Sequence, residues 1–202
     1  MAHDEEELEP FEVEPDEDDR RIPLTDEERV RREAALRHVR QYGDPVLRSR
    51  ARPVERFDEA LREEVARMGR LMIDSIGIGL AATQVGTLHR LLVYRVEHES
   101  PVIALVNPSI EWRSKDSEVM EEGCLSLPGV LVDVDRPLHV RVRAQDEQGE
   151  PIEIEASGLE ARVIQHEVDH LDGVLILDRT TRDQRKAAAR ALREREAAGD
   201  PA

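Results

Sequence analysis

Apolar positions recur along this chain with two different periods, and the change from one to the other marks out its elements. Leu61, Val65, Met68 and Met72 stand three or four residues apart, the spacing of one helical face, and predict a helix over about 58–75. That stripe reads as plain core. Gly77-Ile78-Gly79 breaks the helix. Apolar runs then predict strands at 91–96 and 102–107, the second ending at Pro108. Alternation at 138–142 and 152–154 predicts two more strands, joined as a hairpin through Asp146-Glu147-Gln148-Gly149. The helical period returns at 158–171. There Ser157 and Glu160 have the S-x-x-E spacing of a capping box, and Gly173 suits the left-handed position past the end. Residues 24–40 read as a charged, helical lead-in to a turn at Gly43-Asp44-Pro45, and an Ala- and Arg-rich helix closes the chain at about 181–197. Strands and helices mix without strict alternation, so the fold class is α+β and not α/β.

Composition adds limits. A chain of 202 residues, 39% hydrophobic, has room for one core. The aromatics are Phe11, Tyr42, Phe57, Tyr94 and Trp112, so that core must be aliphatic. Of the net charge of −16, eleven acids fall within residues 1–19, which hold no Lys or Arg, and residues 20–202 carry only −5. A segment that self-repels and has little to bury cannot offset its ordering entropy, so residues 1–30 are expected to be a disordered acidic tail. The domain expectation is one folded unit over 31–180, followed by a basic helix and short tail over 181–202. The chain start lacks the basic and apolar stretches of a secretory signal, and no segment approaches the roughly 18–20 apolar residues of a membrane span. A cytoplasmic location is expected, with no membrane partner. The sole cysteine, Cys124, forms no internal disulfide.

His166-Glu167-Val168-Asp169-His170 matches H-E-x-x-H. Four helical residues turn the chain by about 400°, so His166 and His170 project from nearly one face and can share a metal ion. Glu167 is offset from them, close enough to reach a water on that metal. Two histidines do not complete a catalytic divalent site, which takes three protein ligands and keeps one position open. The third ligand is an Asp, Glu, His or Cys elsewhere, and spacing alone does not choose among them. In Gly77-Ile78-Gly79-Leu80-Ala81-Ala82-Thr83-Gln84-Val85-Gly86, glycines let a backbone approach a ligand closely, but the segment fits neither a phosphate loop nor a dinucleotide turn.

Taken together, GIGLAATQVG (77–86), EGCLS (122–126) and QHEVDH (165–170) resemble the three signature motifs of peptide deformylases, in that order. The resemblance spans about 38–180 and includes Gly43–Arg48. It implies mixed or antiparallel sheets packed around a central metal-binding helix. It also implies hydrolysis of the N-terminal formyl group of formyl-methionyl nascent peptides, releasing formate. By resemblance, Cys124, His166 and His170 are the metal ligands. Metal-bound hydroxide attacks the formyl carbon with Glu167 as general acid/base, while Gln84 and the Leu125 N–H stabilise the oxyanion. Gly79, Ile78 and Gly123 contact substrate. The implied cofactor is one divalent metal, Fe²⁺ in the cell, replaceable by Zn²⁺, Ni²⁺ or Co²⁺. Leu131 departs from the pattern, standing where some members place an Arg near the substrate. Arg136 falls where the family has an Arg that can pair with Glu122.

Two other readings use the same residues. A zinc peptidase also carries H-E-x-x-H, but such enzymes usually take their third ligand downstream. A deformylase-like protein that only binds a partner would not need every catalytic position filled. Specific DNA binding has no support. The stretch Arg179–Arg195 holds seven basic residues against Asp183 and Glu194, an electrostatic footprint that fits docking on the ribosome.

Overall fold

A computed structural model describes residues 24–198. Helix α1 (Asp26–Leu36) leads to α2 (Glu59–Asp74), and the strands β1 (Gly79–Ala81), β2 (Leu91–Tyr94) and β3 (Ile103–Arg113) follow. A hairpin of β4 (Ser117–Cys124) and β5 (Leu127–Pro137) precedes β6 (His139–Gln145) and β7 (Pro151–Ser157). Then come α3 (Gly158–Leu171), the short α4 (Ile176–Arg179) and α5 (Arg182–Ala198). The larger sheet has the order β1-β2-β3-β6-β7, and β4-β5 form a second, two-stranded sheet. Every named strand pair is antiparallel. The α+β class stands, and of the mixed or antiparallel alternatives the sheets take the antiparallel one.

Strand β2 shows how the layers form. All four of its side chains are buried, and successive ones go to opposite sheet faces. Leu92 and Tyr94 join Leu105, Val142, Ile164 and Val168 in a cluster under α3, while Leu91 and Val93 join Leu61, Met68 and Met72 under α2. Met68 and Met72 are fully buried, so their stripe is core. A third cluster packs Val130, Val132 and Val134 of β5 on Leu175, Leu177, Ala188 and Leu192. The C-terminal helix is thus packed against the same body as the hairpin.

Several expectations need correction. Residues 1–23 of the predicted acidic tail lie outside the described residues, but residues 26–30 are helical. Thr25 caps α1: its hydroxyl accepts from Glu28 N at 3.2 Å, and Glu28 Oε2 accepts from Thr25 N at 2.8 Å. The strand expected to stop at Pro108 runs on to Arg113, because the register shifts between Val106 and Ser109 and takes up the residue that cannot donate. Asn107, at φ 54°, forms that irregularity, and its amide pairs with both backbone groups of Val54. β4 and β5 are absent from the elements predicted above. The capping box at Ser157 does not form. Ser157 Oγ instead meets His139 Nδ1 at 2.9 Å, and Glu160 accepts from the Tyr94 hydroxyl at 2.8 Å. Gly173 does adopt a left-handed φ of +74°, where the carbonyl of Arg48 leaves no room for a Cβ.

Candidate active site

Helix α3 sits between the large sheet and the hairpin. Ala161, Ile164, Val168 and Leu171 bury one side of it in the sheet cluster. The opposite side then presents Arg162, His166 and His170 at four-residue spacing towards β4 and β5. Cys124 ends β4, just before the chain reverses so that Cys124 pairs with Leu127.

This arrangement brings three donors together. Cys124 Sγ lies 3.2 Å from His170 Nε2, which lies 3.2 Å from His166 Nε2. All three donor atoms fall within 4.8 Å of one another, forming a possible metal-binding group. Donors set tetrahedrally at bond lengths of about 2.0–2.3 Å stand roughly 3.3–3.6 Å apart, so the cluster fits one ion. Electrostatics agree. Burial alone would lower the pKa of His166, but hydrogen bonds to Cys124 and Glu122 outweigh it and push it up to about 10. Burial takes His170 well below the ordinary histidine range, which favours the neutral imidazole that a metal ion needs.

The remaining candidates surround these donors. Glu167 is buried, its Oε2 has no hydrogen-bond partner among the described residues, and burial pushes its pKa up to about 7. A Cβ at Gly79 would lie 2.3 Å from Glu167 Oε1, so a side chain there would displace the carboxylate. Gln84 Oε1 accepts from the Ala81 N–H at 2.9 Å, which fixes the amide orientation and turns Nε2 towards Ser126 Oγ (3.2 Å) and Cys124 Sγ (3.6 Å). Ser126 N also donates to Cys124 Sγ, at 3.4 Å. The N–H of Leu125 has no acceptor among the described residues.

A buried ionic network orients the His166 imidazole. Glu122 accepts from His166 Nδ1 at 3.0 Å, from Arg136 at 2.7 and 3.0 Å, and from Arg162 at 2.8 Å. Burial would raise its pKa, but the bonds to His166 and Arg136 hold it down at about 2. Arg136 also donates to Asp169 at 2.9 Å, and Asp169 accepts from Arg179. The pairing of Arg136 with Glu122 is as expected. Arg162, Asp169, Arg179 and Ser126 were missed. Ser126 and Asp169 lie inside the segments EGCLS and QHEVDH, and Arg162 stands one four-residue step before His166.

The donors open into a cleft of about 830 Å³, lined among others by Ile78, Gly79, Gly123, Leu125 and Leu131. Ile76, Ile78, Met120, Leu131 and Leu159 form its exposed apolar rim. All nine predicted site residues thus gather at one place. A second cavity of about 790 Å³, near Arg52 and His89, contains none of them.

The family model for polypeptide deformylase matches residues 36–186. A peptide deformylase of Acidothermus cellulolyticus is 47% identical over 165 residues, covering 82% of this chain and 90% of that relative. One from Thermotoga neapolitana is 51% identical over 141 residues, covering 70% and 85%. Among solved structures, a Synechococcus elongatus peptide deformylase in complex with actinonin superposes with a TM-score of 0.73, at 44% identity, covering 76% of this chain and 85% of that one. The chain belongs to the polypeptide deformylase family, hydrolases that remove the formyl group from the N-terminus of new peptides.

Proposed function

We propose that this chain removes the formyl group from formyl-methionyl nascent peptides with a divalent metal held by Cys124, His166 and His170. The observation that carries this reading is the convergence of three donor atoms beside a buried carboxylate oxygen without a partner. When bound, the metal lowers the pKa of a coordinated water and polarises the formyl oxygen. Thiolate and imidazole together suit Fe²⁺ or Zn²⁺, and the family resemblance favours iron in the cell.

The protein's own groups do the rest. Glu167, with a pKa of about 7, is matched to neutral pH and can take a proton from water and pass it to the leaving amine. Gln84 Nε2 and the Leu125 N–H bound the place where negative charge grows on the formyl oxygen. Gly79, Ile78 and Gly123 line the approach of the peptide backbone, and the apolar rim suits the methionine side chain. Glu122 takes the Nδ1–H of His166, which leaves Nε2 for the metal.

The test is anaerobic purification with metal analysis and an assay of formate release from a formyl-Met peptide. Glu167→Ala should keep its metal while formate release falls by about 10²–10⁴. Near-parental release in that variant would sink the assignment. No described helix is long and apolar enough to cross a membrane, and a cytoplasmic site of action fits a nascent-chain substrate.

Ribosome docking through α5 is part of the same proposal. Arg182, Lys186 and Arg193 are exposed, whereas Ala188 and Leu192 are buried against the hairpin. Removing the helix would therefore uncover core, and reversing the three exposed charges is the cleaner test. The reversed protein should co-sediment less with ribosomes than the parent at low salt, and the difference should shrink as salt rises. Equal co-sedimentation would rule out this anchor.

A further inference from the structure

Helix α1 lies almost wholly upstream of the family match, which begins at residue 36. Arg32 and Leu36 of this helix, one turn apart, nevertheless line the same cleft as Cys124, His166 and Glu167. Leu36 is buried and, with Ala35, anchors the helix, while the Thr25–Glu28 capping box fixes its start. Arg32 is half-buried, and its guanidinium has no hydrogen-bond or ion-pair partner among the described residues. The other arginine of the cleft differs. Arg162 is fully engaged by Glu122, the Val134 carbonyl and the Glu118 carbonyl. Of the cleft carboxylates, Glu122 is likewise engaged and Glu167 lies buried beside Gly79. Glu121, on β4, is exposed.

We propose that Arg32 is a specificity-determining residue, favouring formyl-Met peptides with Asp or Glu among the residues just after Met and disfavouring Lys or Arg there. A guanidinium without a counter-ion in a peptide cleft is completed by a carboxylate, which it can grip with two parallel hydrogen bonds. A main-chain carbonyl offers only one neutral acceptor. Ile76, Pro128 and Leu131 line the same cleft and keep it partly apolar, which strengthens such a pair over one in open water. The contact is made with a residue after Met and not with the formyl group, so it acts on binding and not on the chemical step.

This inference rests on the deformylase reading, and its test separates the two. The full chain, Arg32→Gln and Arg32→Glu are assayed with formyl-Met tetrapeptides carrying Glu, Gln or Lys at the second, third or fourth position. At one position the full chain should prefer Glu to Lys by about two- to tenfold in kcat/KM, mostly through KM, and added salt should shrink the ratio. Arg32→Gln should bring the ratio close to one, and Arg32→Glu should invert it. Ratios within one variant do not depend on its folded fraction. An unchanged ratio across the three proteins overturns the inference while leaving the reaction intact. Absence of formate from the neutral Gln peptides with the full chain overturns the reaction itself, and the inference with it.

Discussion

Helix α3 turns Ala161, Ile164, Val168 and Leu171 to the five-stranded sheet, and Arg162, Gln165, His166 and Asp169 to the β4–β5 hairpin. The sheet side is held by apolar burial, which is non-directional and tolerates changes that conserve volume. The hairpin side is held by charged hydrogen bonds whose geometry is strict. Buried ion pairs of this kind return little net stability, because desolvation offsets their attraction. The two sides of α3 thus divide the labour. Burial fixes where the helix lies, and the Glu122–Arg136–Asp169 network fixes how the His166 imidazole points.

The largest effect is expected from disturbing the Glu167 carboxylate without touching either side of α3. Gly79→Ala adds a Cβ where Glu167 Oε1 now sits, 2.3 Å away. Formate release should fall by about 10² or more with metal content retained, since small misplacements of a reacting group are that costly. Full activity in Gly79→Ala would mean that the position of Glu167 is not critical.

The two sides can then be broken separately. Ile164→Ala should lower unfolding free energy by about 2–5 kcal/mol while the folded fraction keeps its metal affinity. Glu122→Gln should weaken metal binding by about 10–100-fold, read by competition with a chelator. If the two variants show the reverse pattern, the division of labour is wrong.

A smaller effect is expected away from α3. Asp178 accepts from Arg48 and from the Leu175 N–H at 2.9 Å; burial would raise its pKa, but these contacts lower it. A carboxyl with a depressed folded pKa stabilises above its unfolded value of about 3.9, and that contribution is lost as pH falls through the folded pKa. Asp178→Asn should therefore lower Tm slightly at pH 7, with the difference from the parent shrinking below about pH 4. An equal difference at both pH values would contradict the sign.

Whatever depends on local spacing is legible in the chain alone. The four-residue step between His166 and His170 is helical geometry, the stripe from Leu61 to Met72 is one helical face, and Gly173 ends α3 because the backbone there needs a left-handed φ. The missed strand β5 was also legible, since Val130, Val132, Val134 and Arg136 alternate inward while Leu131, Asp133 and Asp135 face out. Arg136 obscured that pattern, because it is a charge on the buried face whose partners are distant in sequence. Local spacing does not give such pairings. Spacing could not bring Cys124 to the histidines; the resemblance suggested it, and the packing of α3 between sheet and hairpin brings the sulfur to 3.2 Å from His170. Nor could spacing tell that Ser157 would meet His139 instead of capping, or that Arg32 would reach the cleft. Backbone geometry sets the first kind of feature within a few residues, whereas the second depends on strand register and packing among segments tens of residues apart.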